Sequence, residues 1–176
     1  MNKILVVVDM QKDFVDGALG TPEAVAIVPN VVKKISEFDG KIIVTYDTHF
    51  DNYMSTSEGE KLPVPHCIKG EEGWKINSEV QAALEKKEYT TVEKITFGSV
   101  DLPNLIKDMV KDDDFSIELI GLCTDICVVS NALILKAHFP EAKISVDESC
   151  CAGVTPESHK AAISTMNMCQ IDIINQ

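Results

Sequence analysis

The sequence predicts an α/β fold: one three-layer α/β/α domain over residues 1–176, built on a six-stranded, mainly parallel, Rossmann-like sheet. Two observations carry this expectation. Six short continuous apolar runs rich in Ile and Val punctuate the chain, the composition of strands buried on both faces of a parallel sheet. Helical patterns lie between them, and that alternation is the mark of a doubly wound α/β domain. With 176 residues, 45% of them hydrophobic, the chain is long enough to bury one sizeable core.

Taken in order, the strand runs are KILVVVD (3–9), KIIVTYD (41–47), YTTVEKI (89–95), SIELIGLC (116–123), AKISVDE (142–148) and QIDIIN (170–175). The first helix pattern, NVVKKISEF, follows Pro29. The second, NSEVQAALEKKE, opens at Asn77, whose amide side chain suits an N-cap. The third, DLPNLIKDMV, opens at Asp101, and the fourth, DICVVSNALILKAHF, at Asp125. The fifth, TPESHKAAISTMN, has Thr155 as N-cap and Pro156 in the first turn, where a missing N–H costs nothing. Between Asp47 and Gly73 no period is evident. Aperiodic segments of that length in compact domains are commonly functional, and this one carries His49 and His66, the latter followed by Cys67.

The formal net charge of −12 argues against a nucleic-acid partner, because neutralising phosphates requires clustered cations, and the lysines here alternate with acids on solvated helix faces. No run approaches the ~20 apolar residues of a membrane span. The N-terminal apolar run, Ile4 to Val8, is shorter than a secretory core. These features imply a cytoplasmic protein without a membrane partner, in which the six cysteines are thiols rather than a disulfide framework.

Ligands of open α/β sheets bind at the carboxyl ends of the strands. The polar residues there are Asp9, Asp47 followed by His49, Lys94, and Cys123 with Cys127 a turn later. If Asp125 caps the following helix, Cys127 lies in the first turn, where free N–H groups and the macrodipole favour a thiolate. Lys94 would favour it further, and Asp9 is a candidate to accept the thiol proton. Alone, Cys127 reads equally as small buried packing and Lys94 as a surface residue. Asp9 closes five apolar residues and so needs a special polar setting, with Asp13 its nearest competitor for the acid role. Asp47 and His49, at i and i+2 of an extended segment, point the same way, and His66 could join them on a divalent metal with open positions. Two unrelated loop histidines explain the same pattern. His138 and His159 read as structural.

These residues resemble the isochorismatase-like cysteine hydrolases, and within them the nicotinamidase-like branch. The resemblance runs over nearly the whole chain and is carried by VVVDMQKDF (6–14), YDTHF (46–50), LPVPHCIKGEEGW (62–74), EKITFGS (93–99) and GLCTDICV (121–128). It implies a catalytic triad of Asp9, Lys94 and Cys127, and an oxyanion hole made by the backbone N–H groups of Cys123 and Cys127. It implies a cis peptide at Leu122–Cys123. It also implies one divalent metal, zinc foremost with iron or manganese as alternatives, on Asp47, His49 and His66. Glu58 is the better candidate for a fourth ligand and Glu60 the other. Phe14 and Phe97 map to positions flanking the substrate ring, and Trp74 is a further candidate to close the pocket. The implied reaction is hydrolysis of a small-molecule amide through a thioester, nicotinamide to nicotinate and ammonia first. Another small amide, a carbamoyl compound or an isochorismate-like substrate is the alternative. A homo-oligomer is also implied. A reading of a different class makes Cys123 and Cys127 a reversible redox pair.

Overall fold

A computed structural model describes residues 2–111 and 114–176. Six strands form one sheet: β1 (Asn2–Val8), β2 (Lys41–Asp47), β3 (Tyr89–Lys94), β4 (Phe115–Leu122), β5 (Lys143–Ala152) and β6 (Asp172–Ile174). Their order is β3-β2-β1-β4-β5-β6, and every described pairing is parallel. The helices are α1 (Lys12–Val15), α2 (Pro22–Glu37), α3 (Ser57–Lys61), α4 (Ser78–Leu84), α5 (Leu102–Val110), α6 (Val129–His138) and α7 (Pro156–Met168).

Alternation along β1 divides the core. Leu5 and Val7 face α2 and α4, while Ile4, Val6 and Val8 face α5, α6 and α7. The chain reverses its direction of winding between β1 and β4, which are neighbours in the sheet although two strands intervene in sequence. A crevice opens at such a switch point beyond the strand ends. The register fixes what meets there: Val8 lies beside both Thr45 and Gly121, and Asp47 beside Lys94.

Gly121 is where this arrangement needs a glycine. Its φ is +117°, and a Cβ there would land on the carbonyl oxygen of Val8, far inside van der Waals contact. The last residues of β1 and β4 can therefore approach closely just before the chain delivers Asp9 and Cys123.

The structure departs from the sequence expectation at four boundaries. The first long helix starts at Pro22 rather than after Pro29, because Thr21 caps it, its hydroxyl accepting the Ala24 N–H at 3.0 Å. Pro29 sits inside that helix. Strand β5 runs on to Ala152, past a register shift opposite Leu119 and Gly121, which buries Cys150 and Cys151 within it. The aperiodic segment contains a 3-10 turn at Tyr53–Ser55 followed by α3. Asp125 is not a cap: Cys123 holds the N-cap position, and the Asp125 carboxylate instead accepts the Val154 N–H at 3.1 and 3.2 Å.

Candidate active site

Asp9, the first residue past β1, is fully buried and adopts a left-handed backbone with φ 46°. That conformation is tolerated by Asp far better than by branched residues. Thr45 fixes it twice: the Thr45 hydroxyl donates to Asp9 Oδ1 at 2.6 Å and accepts the Asp9 N–H at 3.2 Å. Lys94, at the end of β3, extends its ammonium into the same space, 2.7 Å from Asp9 Oδ2, 3.3 Å from Asp47 Oδ1 and 3.5 Å from Cys127 Sγ. So the structure brings Asp9, Lys94 and Cys127 together.

The peptide between Leu122 and Cys123 is cis. The next five residues, Thr124 to Val128, form a π-helical turn that runs into α6. In it the Cys123 carbonyl accepts from the N–H groups of Ile126 and Val128, both at 3.1 Å, and passes over Cys127. Asn131, one turn on and fully buried, donates its amide to the Cys127 carbonyl at 2.8 Å and accepts the Ser99 N–H at 2.9 Å. The turn carrying Cys127 is thus tied to the loop after Lys94.

The electrostatics are those of a buried site around one permanent cation. Burial alone would lower the Lys94 pKa, but Asp9, Cys127 and Asp47 outweigh it and raise it. Burial raises Asp9, Lys94 opposes that, and Asp47 adds to it. Burial and the Asp9 charge push the Cys127 thiol well up, against Lys94. Burial and Asp9 thus push the sulfur toward the thiol, against the helix-end argument. Moving its proton to Asp9 removes the very charge that opposes ionisation and leaves Lys94 beside the sulfur. Cys123, pushed up to about 12 by burial and then by Asp125, Asp9 and Asp47, has no such arrangement.

Beside this triad Asp47, His49 and His66 present atoms that all lie within 4.8 Å of one another, and all three residues are buried. His49 Nε2 is 2.9 Å from Asp47 Oδ2, and His66 Nε2 is 3.6 Å from it. Glu58 Oε1 reaches 3.7 Å from His49 Nε2 and 3.6 Å from His66 Nε2. Glu60, on α3 with it, makes no ion pair with either imidazole. The Val64 carbonyl holds His66 Nδ1 at 2.8 Å, which leaves Nε2 for the cluster. His49 Nε2 is buried without a hydrogen-bond partner of correct geometry. An orphaned imidazole nitrogen beside a carboxylate and a second imidazole fits a divalent cation, whose charge would satisfy all three. The imidazoles and Lys94 overcome burial and hold the Asp47 carboxyl well below the usual range.

A cavity of about 620 Å³ opens over both groups. Its lining includes Phe14, Phe97, Cys123 and Cys127, together with Asp47, His49, Glu58 and His66. Asp9 and Lys94 lie beneath it. Phe14 packs on the His66 ring with centroids 5.4 Å apart. Trp74 is not part of the lining: its indole donates to Thr48 Oγ1 at 3.0 Å and its ring packs on Tyr46 at 5.1 Å, so it braces the loop from behind.

Four supporting residues had no role in the sequence reading. Gln11 is fully buried and makes three bonds: it donates to the Asp47 and Trp74 carbonyls at 2.9 and 2.8 Å and accepts the Asp47 N–H at 2.8 Å. Asp13, considered only as a rival acid, accepts the Cys67 N–H at 2.8 Å and so anchors the residue after His66. Thr45, two before Asp47 on the same strand, was detectable by period. Tyr53 stands against both imidazoles, 4.8 and 5.1 Å from their centroids, and nothing in its sequence context signals that.

A parallel sheet with a thiol, an acid and a lysine at its switch point, beside a two-histidine, one-carboxylate cluster, is the setting of a hydrolase. The chain belongs to the isochorismatase family, whose domain model matches residues 3–176. It is 29% identical, over 175 residues and 93% of each chain, to the isochorismatase family protein PncA of Bacillus subtilis (strain 168). The crystal structure of nicotinamidase/pyrazinamidase PncA from Bacillus subtilis superposes with a TM-score of 0.84 at 26% identity, covering 99% of this chain and 100% of that one. The Pyrococcus horikoshii pyrazinamidase, solved in complex with zinc, shares the fold with a TM-score of 0.80 at 23% identity, covering 100% of both chains.

Proposed function

We propose that this chain, acting as one domain over residues 1–176, is a metal-dependent cysteine amide hydrolase. Its leading substrate is nicotinamide, cleaved to nicotinate and ammonia. One observation carries the reading. A buried lysine ammonium lies 2.7 Å from Asp9 and 3.5 Å from Cys127 Sγ, under a cavity whose wall also holds Asp47, His49 and His66. Similarity to the nicotinamidase/pyrazinamidase PncA supports the substrate.

In this mechanism Asp9, its pKa raised by burial, takes the thiol proton of Cys127. Lys94 stabilises the thiolate so formed. The sulfur attacks the amide carbon, and the carbonyl oxygen becomes an oxyanion held by the backbone N–H groups of Cys123 and Cys127. Losing one such donor typically costs ~10²–10³ in turnover. Asp9 returns the proton to the amide nitrogen, the C–N bond breaks, and ammonia leaves. Water then attacks the thioester with Asp9 as base, releasing the carboxylate and regenerating the thiol. A divalent ion on Asp47, His49 and His66, zinc first, would supply Lewis acidity and a coordination site for a ring nitrogen or water. Phe14 and Phe97 would flank the ring, and a homo-oligomer in the cytoplasm remains part of the proposal.

The test is ammonia release from nicotinamide and pyrazinamide, with and without chelator. Cys127→Ala should abolish it and Cys123→Ala largely spare it. Loss in neither variant would refute Cys127 as nucleophile. Small ureido and carbamoyl amides in the same screen test the alternative substrates. The redox reading requires two accessible thiols, whereas Cys127 is buried against Lys94.

A further inference from the structure

The reacting groups occupy only the inner end of their cavity. At about 30 Å³ per water in the liquid, 620 Å³ corresponds to roughly 20 waters. A single-ring carboxamide displaces only a handful of them. The outer part is walled by side chains that water does not favour. Ile95 is 69% exposed, Phe50 51%, Phe97 47% and Leu62 38%, and all four line this cavity. Among the described residues nine large apolar side chains are exposed, so close to half of them converge on one mouth. Scattered exposed apolar residues are ordinary, but a cluster rimming the cleft that holds a nucleophile marks a binding surface.

Charge narrows the ligand. Apart from the Asp47, His49, Glu58 and His66 cluster, the one side chain in the lining that carries a charge at neutral pH is Lys61. The chain contains no arginine at all. A phosphate- or carboxylate-bearing extension would find no guanidinium fork and a single ammonium. An uncharged apolar extension would find Leu62, Ile95 and Phe97.

We propose that the site extends beyond nicotinamide to ring carboxamides bearing an apolar substituent of several carbons, with the carboxamide at Cys127 and the substituent gaining contact on the Leu62–Ile95–Phe97 collar. This rests on the amidase reading. The substituent belongs to the acyl part, which stays on Cys127 as the thioester while ammonia departs. Contact with the collar then acts on both halves of the reaction. Binding energy from such a remote group can be used at the reacting centre.

Full burial of one methylene multiplies affinity about fourfold, and half-burial on an open collar about twofold. The experiment measures kcat/KM for ammonia release from nicotinamide and its 5-methyl, 5-ethyl and 5-butyl derivatives, in the wild type and in the Ile95→Ser and Leu62→Ser variants. A rise of about twofold per carbon in the wild type, flattened in both variants, is expected. A flat or falling wild-type series with nicotinamide still hydrolysed overturns the proposal and leaves the amidase reading standing. No ammonia from any member removes both. Light scattering on the same proteins covers the remaining occupant. If the wild-type series is flat and the variants dissociate an oligomer, the collar is a contact between copies of the chain, and the proposal fails.

Discussion

Lys94→Met removes the one cation from the buried centre, and its consequences can be worked from the contacts. Methionine keeps the length of the stem but not the ammonium, so Asp9 Oδ2 loses its 2.7 Å partner and the carboxylate keeps only the Thr45 hydroxyl. Breaking a buried pair from one side leaves an uncompensated charge and costs about 3–5 kcal/mol. For a chain of this size that lowers Tm by roughly 6–20 °C, at about 2–4 °C per kcal/mol. Asp9→Asn is the milder partner mutation. It leaves Lys94 with Asp47 Oδ1 at 3.3 Å and replaces a carboxyl whose ionisation burial already opposes, so about 1–3 kcal/mol is expected. In the double variant neither a bare carboxylate nor an unpaired ammonium remains at this position. Its loss of stability should fall short of the sum of the singles by about 2 kcal/mol or more, measured by urea and thermal melts of chelator-treated protein. On the proposed mechanism the double variant should nonetheless release no ammonia, because it lacks both Asp9 and Lys94. Additivity within about 0.5 kcal/mol would refute the reasoning, since it would mean that the two groups do not interact in the folded protein.

Gly121→Ala forces a Cβ onto the Val8 carbonyl oxygen at a φ of +117°, so about 3 kcal/mol or more of stability should be lost in urea melts, and an unchanged midpoint would contradict the close approach of β1 and β4. Asp13→Ala frees the Cys67 N–H and with it the backbone next to His66; zinc affinity by chelator competition should fall about 10–100-fold, and an unaltered affinity would show that Asp13 has no part in placing the histidine. Away from the site, Lys34 bridges Glu118 at 2.6 Å and Asp147 at 2.7 Å. Burial would raise Asp147, but Lys34, Ser149 and Asn175 lower it below the ordinary 3.8, so its contribution is present above about pH 4 and lost as pH falls through the folded value. Burial would lower Lys34, but Asp147 and Glu118 raise it above 10.5, so its contribution is full below that value and lost as pH rises through the folded one. The stability difference between wild type and Asp147→Asn should therefore shrink below pH 4 and at high alkaline pH, and a difference flat across pH 2–7 would contradict the assignment.

The strand runs and the caps at Asn77 and Thr155 were legible because each depends on residues close in sequence. Thr155 followed by Pro156 and Glu157 announced α7, and its hydroxyl indeed accepts the Ser158 N–H at 3.1 Å. The same triplet, Thr21-Pro22-Glu23, announces α2 with equal clarity, although the helix pattern expected there begins only after Pro29. A proline removes one N–H and crowds one carbonyl. In α2, Ala24, Ile27, Val28, Val31 and Ile35 lie buried on both sides of Pro29, so a single packed face spans it. Packing over sixteen residues outweighs a local defect that the sequence displays more loudly.

The site divides along the same line. Asp9, Asp47, Lys94 and Cys127 were legible because parallel strands deliver their last residues to one rim, a consequence of topology alone. Apart from Thr45, their supports were not, since Gln11, Asp13 and Tyr53 act through contacts between segments apart in the chain: Gln11 to Trp74, Asp13 to Cys67, Tyr53 to His66. The state of the sulfur is a further case. A cysteine in the first turn of a helix suggests a standing thiolate, yet that argument counts only the field of the helix. Complete burial and the neighbouring Asp9 charge work against it and raise the Cys127 thiol. The field at Cys127 is set by Asp9 and Lys94, which come from other strand ends, and no reading of the GLCTDIC segment by itself could have contained it.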